Sequence, residues 1–137
     1  MILQDLITLD GKLELYACDG QFLGLLSSDR NDANSIINLK TYGNSQNINS
    51  IHYKHGIYGG QYGRCSPYNY RCLYPPSIVF QRQCIGMVSK NKYIVGHDLD
   101  IIDPDLLLST YVNLSEREAR HQGSRFILTI TSKLATA

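Results

Sequence analysis

A chain of 137 residues that is 43% apolar and 18% charged, with a net charge of +1, has the composition of one globular domain and can bury roughly two thirds of the surface it exposes when unfolded. It needs no disulfide or metal staple to fold, and no apolar run approaches the roughly 20 residues that cross a bilayer, so no membrane insertion is expected. The opening residues Met1 to Asp5 lack the basic end and long apolar stretch of a secretory signal, which makes the expected location cytoplasmic.

The first 30 residues read as β structure. Asp10-Gly11 and Asp19-Gly20 each stand between apolar-rich stretches, and Asp-Gly is a strong two-residue hairpin signal because both positions tolerate positive φ. A three-strand meander is the expectation, with Leu13 and Leu15 alternating against Glu14 and Tyr16 in the period of a half-buried strand. A related unit follows 62 residues later: Gln21-Phe22-Leu23-Gly24-Leu25-Leu26-Ser27 aligns with Gln83-Cys84-Ile85-Gly86-Met87-Val88-Ser89, and strand-like runs, Leu13 to Cys18 and Ser77 to Phe80, precede the two copies. Two related β-hairpins are therefore predicted. Glycine inside a strand marks a bulge or the close approach of another backbone, which places Gly24 and Gly86 where the two units pack.

Residues 31–76 form a Tyr/Gly/Asn-rich loop-repeat insertion between the hairpins. Asn34-Ser35-Ile36 recurs as Asn49-Ser50-Ile51, Tyr42-Gly43 recurs as Tyr58-Gly59, and Ser66-Pro67-Tyr68-Asn69 is a degenerate third copy. A spacing of 15 to 16 residues implies a small unit too short to bury a core alone. Seven of the ten tyrosines fall between Tyr42 and Tyr74, among asparagine, serine and glycine residues that favour turns. Successive tight loops anchored by tyrosine rings, with little regular structure, are expected. Pro75-Pro76 then ends the segment and extends the chain into the second hairpin.

Further on, Asp103 suits a helix N-cap, Pro104 the first helical position and Asp105 the positive end of the dipole. Leu107, Leu108, Tyr111 and Val112 fall on one face, giving one short helix near 104–112. A second helical turn is expected from Ser115, with Glu118 completing a capping box and Gly123 stopping it. Phe126, Leu128 and Ile130 alternate with Arg125, Thr129 and Thr131 in a last strand. The predicted fold is mainly β, of the β-rich α+β class: one domain over residues 1–132 with a frayed tail at 133–137.

In combination these motifs resemble an uncharacterised family of small bacterial proteins, mainly cyanobacterial, in which units like Asn34-Ser35-Ile36 through Tyr42-Gly43 repeat between two glycine-containing hairpins. The resemblance covers residues 13–112, including Pro75-Pro76 and Ile102-Asp103-Pro104-Asp105-Leu106-Leu107. It implies the architecture and carries no activity.

Four cysteines leave several chemistries open. Cys65 and Cys72 each follow an arginine and would close a short disulfide loop in an oxidising compartment. Joined by His52 and His55 they make four zinc ligand types, though at no standard finger spacing, and a flanking Arg64 or Arg71 would lower a thiol pKa. Cys18 and Cys84 fall in predicted strands, where a buried cysteine acts as a small hydrophobe. Asp98, Asp100, Asp103 and Asp105 lack the pattern of a calcium loop. His97 and Asp98 are adjacent in the chain and so poorly placed to share a substrate, and the nucleophile, phosphate-loop and dinucleotide motifs are missing from the sequence. The chain is not expected to be an enzyme, and no cofactor is expected.

Charge is unevenly spread: no acidic residue lies between Asp32 and Asp98, an interval that holds Lys40, Lys54, Arg64, Arg71, Arg82, Lys90 and Lys92. Either the acidic flanks fold back and pair with these cations, or the middle presents a basic face. The expected function is a noncatalytic interaction or structural module whose partner is another protein. Its contact surface would comprise Tyr42, Tyr53, Tyr58, Tyr62, Tyr68, Tyr70, Arg64 and Arg71, because tyrosine buries a large rigid area and keeps a hydroxyl. The alternative is binding of single-stranded nucleic acid or another polyanion through the acid-free middle.

Overall fold

The computed structural model describes residues 2–94 and 98–119. Its elements in chain order are α1 (Ile2–Thr8), β1 (Leu13–Tyr16), β2 (Phe22–Leu26), β3 (Ser77–Phe80), β4 (Gln83–Val88) and β5 (Asp100–Ile102), followed by helix α2 over 104–119. The five strands form one mixed sheet in the order β2-β1-β3-β4-β5. The fold is mainly β, of the β-rich α+β class, with two hairpins flanking a segment of turns.

The hairpins β1–β2 and β3–β4 are built alike. In each, one residue bulges just before the strand glycine: Leu23 before Gly24, and Ile85 before Gly86. The hairpins join edge to edge through β1 and β3, where Leu15 pairs with Ile78, flanked by Glu14 with Val79 and Tyr16 with Ser77. Superposing the two glycines matches Leu15 to Ile78, Glu14 to Ser77 and Tyr16 to Val79. The Leu15–Ile78 pair therefore lies on a local two-fold axis, and Gly24, Leu15, Ile78 and Gly86 form one row across four strands. This corrects the expected place of the glycines, which stand on β2 and β4 and not at the β1–β3 joint. Gly24, with φ of +133°, faces the loop segment, since a Cβ there would lie 3.2 Å from Ile36 and Tyr42.

The β1–β2 connection contains the expected Asp19-Gly20, with Gly20 at φ +89°. The β3–β4 connection is the pair Gln81-Arg82, at φ +50° and +68°. Positive φ at both central residues matches the twist of a two-residue hairpin, but a residue with a Cβ resists it by roughly 1–2 kcal/mol. Replacing the pair by Asn-Gly (Q81N/R82G) is expected to stabilise the chain by about 1 kcal/mol, seen as a higher urea midpoint at an unchanged m-value.

Three other expectations are corrected. The run before Asp10 is helix α1 and not the first strand of a meander, because Leu3 and Leu6 lie one helical turn apart and Leu6 is fully buried. Asp10-Gly11 accordingly ends a helix: Gly11 takes the left-handed conformation at φ +83°, as helix stops favour, while its N–H donates to Leu26. Asp100–Ile102, where no strand was predicted, is a strand parallel to β4. Helix α2 runs on past 112, through Ser115 to 119 without a second start. Its N-terminus is as predicted, with Asp103 Oδ1 accepting from Asp105 N at 2.8 Å. The expected stop at Gly123, the strand at 125–131 and the tail at 133–137 lie outside the described residues.

One hydrophobic cluster unites the parts. Leu13, Leu15, Leu23, Leu26, Ile78, Val88 and Ile102 of the sheet meet Leu6 of α1, Leu107 and Tyr111 of α2, and Ile36, Ile51, Tyr58 and Cys65 of the loop segment. Leu108 and Val112 of α2 pack against it, half-buried, so the predicted apolar face of this helix is the one that faces the core. No helix among the described residues is long and apolar enough to cross a membrane.

Candidate functional site

The segment between the hairpins is a coil of consecutive turns, and short polar side chains close them. From Asp29 to Cys72 a backbone N–H donates to the carbonyl three residues earlier at every third position: Asp32, Ser35, Asn38, Thr41, Asn44, Asn47, Ser50, Tyr53 and Gly56, then Gly63, Ser66, Asn69 and Cys72. A single four-residue step, Gly60 to Gly56, interrupts the series. That extra residue explains why Ser35 and Ser50 are 15 apart while Ser50 and Ser66 are 16 apart. At most steps the leading side chain accepts from the N–H two residues on, as Asp, Asn and Ser do in turns: examples are Asp32 to Asn34, Ser35 to Ile37, Asn38 to Lys40, Ser50 to His52 and Asn69 to Arg71.

Longer bonds tie each stretch to an earlier one. Asn38, Asn47 and Asn69 donate to the carbonyls of Asp32, Thr41 and Gly63, each six residues back. Ser35 and Ser50 donate to Ser27 and Tyr42, each eight residues back, and the Cys72 thiol does the same to Arg64. Ser35-Ile36, Ser50-Ile51 and Ser66 with Pro67 are among the buried points of the coil. Its turns are closed by Ser, Asn and Asp, and of the tyrosine rings expected as anchors, Tyr42, Tyr58 and Tyr68 tie it to the rest of the chain.

The eight residues predicted for a contact surface divide by environment. Tyr62 and Tyr70 are exposed, Tyr62 to 88%, as are Arg64 and Arg71. Tyr42 is half-buried, edge-on to Phe22, and Tyr53 packs edge-on to His55. Tyr68 is half-buried under the Lys54 ammonium, 3.2 Å from the ring centre, and its hydroxyl donates to Asp105. Tyr58 is buried and serves as a tether, its hydroxyl donating to Asp19 Oδ2 at 2.6 Å. That bond is the chief cause of an Asp19 carboxyl held below its usual range and a Tyr58 hydroxyl pushed up to about 12. Leu73 and Tyr74, absent from the prediction, are exposed beside Tyr70; their run of aromatic and aliphatic residues ahead of Pro75 was the available signal.

Part of the basic middle meets the acidic flanks. Lys90 bridges Asp103 at 2.7 Å and Asp105 at 2.8 Å, which raises the lysine pKa and lowers that of Asp105. Lys54, lowered by burial, feels Asp105, and Arg64 feels the charge of Asp19. Lys90 is thus paired with carboxylates, and Lys54 and Arg64 each stand near one, which weakens the field available to a polyanion.

His52 lines a cleft with Arg30, Lys40, Leu39 and Val112. Burial lowers its pKa and favours the neutral ring, whose Nε2 donates to the Ile36 carbonyl at 3.1 Å, so the ring acts as a strut between successive stretches of coil. Among the described residues no three His, Cys, Asp or Glu side chains gather as a metal site. Asp103 and Asp105 are engaged with Lys90 and the helix cap, and His97 lies outside the described residues.

Cys18 and Cys84, expected to be buried in strands, are not buried. Cys18 lies in the β1–β2 connection and Cys84 in β4, and both are exposed, while Cys65 and Cys72 are buried. The sulfur beside Cys65 is that of Cys18, at 2.8 Å. Together these features define a β-rich α+β protein whose sheet carries a side-chain-capped coil of turns. In comparison with known proteins the chain matches no family model, no curated protein and no solved structure.

Proposed function

We propose that the chain is a noncatalytic protein-interaction module that acts in the cytoplasm and offers the coil as its contact surface. One observation carries the reading: of the ten large apolar residues exposed among the described residues, seven belong to the coil, namely Leu39, Ile48, Ile57, Tyr62, Tyr70, Leu73 and Tyr74. Exposing rigid aromatic area on a well-anchored backbone lowers the entropy lost on binding, and tyrosine is enriched among residues that dominate interface energy. Capping by Ser, Asn and Asp supplies the anchoring, so the outward rings are free for a partner.

The triple variant Tyr62→Ala/Tyr70→Ala/Tyr74→Ala tests this. It is expected to keep the circular dichroism spectrum of the parent and to lose a partner that the parent captures from its source cell, with affinity falling about 10-fold or more. Undiminished capture by the variant would remove the surface from the coil. A partner that proved to be single-stranded nucleic acid, with affinity dropping steeply as salt rises, would favour the polyanion reading instead.

A further inference from the structure

Cys18 and Cys65 are 47 positions apart in sequence, yet their sulfurs stand 2.8 Å apart. Other bonds fix the register of the two elements. The Asp19 carboxylate, next to Cys18, accepts from Tyr58 and from the Gln21 N–H, and the connection is closed by Gly20 N to Ala17 O and Ala17 N to Gln21 O. On the coil side Cys65 N donates to Ile57 O, and the residue sits in the core cluster with Tyr58. Closing to a covalent separation of about 2.05 Å asks little of either backbone.

We propose that Cys18 and Cys65 form an intramolecular disulfide that staples the first hairpin to the coil, with a low-molecular-weight disulfide such as glutathione disulfide as the oxidant. The exposed Cys18 thiol loses its proton and attacks one sulfur of the oxidant. That breaks the oxidant's S–S bond, releases one thiol and leaves a mixed disulfide on Cys18. Cys65 then loses its proton and attacks the Cys18 sulfur, releasing the second thiol. Two protein thiols give up two electrons, the oxidant is reduced to two thiols, and the two protons end on them.

Burial, the largest cause, and the neighbouring Cys18 thiol push the Cys65 thiol up, and the burial remains when Cys18 carries the mixed disulfide. The second step is therefore slow near neutrality and faster in alkali. In reverse, Cys65 is a poor leaving group when an outside thiol attacks at Cys18, so the closed bond reopens slowly. The bond is a durable staple with an exposed handle, and it holds in place the stretch of coil that precedes Tyr70 and Tyr74.

The test uses the full-length Cys72→Ser/Cys84→Ser variant, which keeps only this pair, alongside the parent chain. After glutathione disulfide the variant is expected to lose about 2 Da in intact mass, and both chains are expected to yield a linked pair of peptides carrying Cys18 and Cys65 and to melt about 10 °C higher than when reduced. The further change Cys18→Ser, at an exposed site, is expected to abolish the link and the gain. Free Cys18 and Cys65 thiols after oxidation, a persistent glutathione adduct on Cys18, a bond between two chains, or a parent chain that joins Cys18 to Cys72 would each overturn the proposal.

Discussion

Gly59→Ala is expected to destabilise the chain by about 3 kcal/mol or more, a large part of the roughly 5–15 kcal/mol that holds an ordinary domain together. A Cβ at this position would lie 2.4 Å from the Tyr53 carbonyl oxygen and 2.5 Å from that of Ile51. Both are backbone atoms of the turn series, so no rotamer change gives relief and the coil itself has to move. Ile51 is fully buried in the core cluster, which transmits the displacement inward. Gly20→Ala is the control: its φ is +89°, but nothing lies within 4 Å of the added atom, so the cost is the left-handed backbone alone, about 1 kcal/mol. Urea unfolding of the two variants is expected to show a midpoint loss at least about twofold larger for Gly59→Ala at similar m-values. Equal losses would mean that the coil does not pack as closely as described.

Tyr111→Ala is expected to cost about 3–5 kcal/mol and Tyr111→Phe about 1–3 kcal/mol. The side chain is fully buried, and its hydroxyl donates at 3.1 Å to the carbonyl of Leu6, 105 positions earlier. That carbonyl belongs to the last turn of α1, where helix carbonyls have no partner within the helix. Tyr111 thus fills the core with its ring and caps α1 with its hydroxyl, and the two substitutions separate those contributions. Burial also raises the Tyr111 pKa above the ordinary 10.0, and the bond to Asp19 raises that of Tyr58 to about 12. A raised tyrosine stays protonated in the folded chain while the unfolded chain ionises above about pH 10, so its contribution is whole below that pH and is lost as the pH climbs. Tyr111→Phe is expected to make stability fall less steeply between about pH 10 and 12 in denaturation series; an unchanged slope would show that this hydroxyl is not buried.

The legible parts of the fold were those with local causes. Asp19-Gly20 marked a true hairpin turn, and Asp103-Pro104-Asp105 marked a true helix start, because the atoms that decide each lie within a few residues. The second hairpin was found by its likeness to the first, although Gln81-Arg82 carries no turn signal of its own and is held at positive φ by the strands it joins. Asp10-Gly11 misled for a physical reason: a glycine at positive φ ends a helix as readily as it turns a hairpin, and the choice depended on where Leu6 is buried. In the coil, the 15 to 16 residue spacing was visible. The three-residue step beneath it was also written in Asp29, Asp32, Ser35, Asn38, Asn44, Asn47 and Ser50, but it is obscured where Tyr53 and glycines take over the leading position.

By itself, then, the order of residues determined the turns, the caps and the two hairpins, since a carboxylate, amide or hydroxyl reaches a backbone N–H two residues on whatever the rest of the chain does. Tertiary structure alone decided that Tyr58 is a tether while Tyr62 is displayed, that Cys18 is exposed and meets the buried Cys65, that Lys90 joins Asp103 and Asp105, and that Gly24 faces Ile36. In each of those cases the partner lies many residues away, and burial is set by what the fold brings to cover a side chain, which no neighbour in sequence encodes.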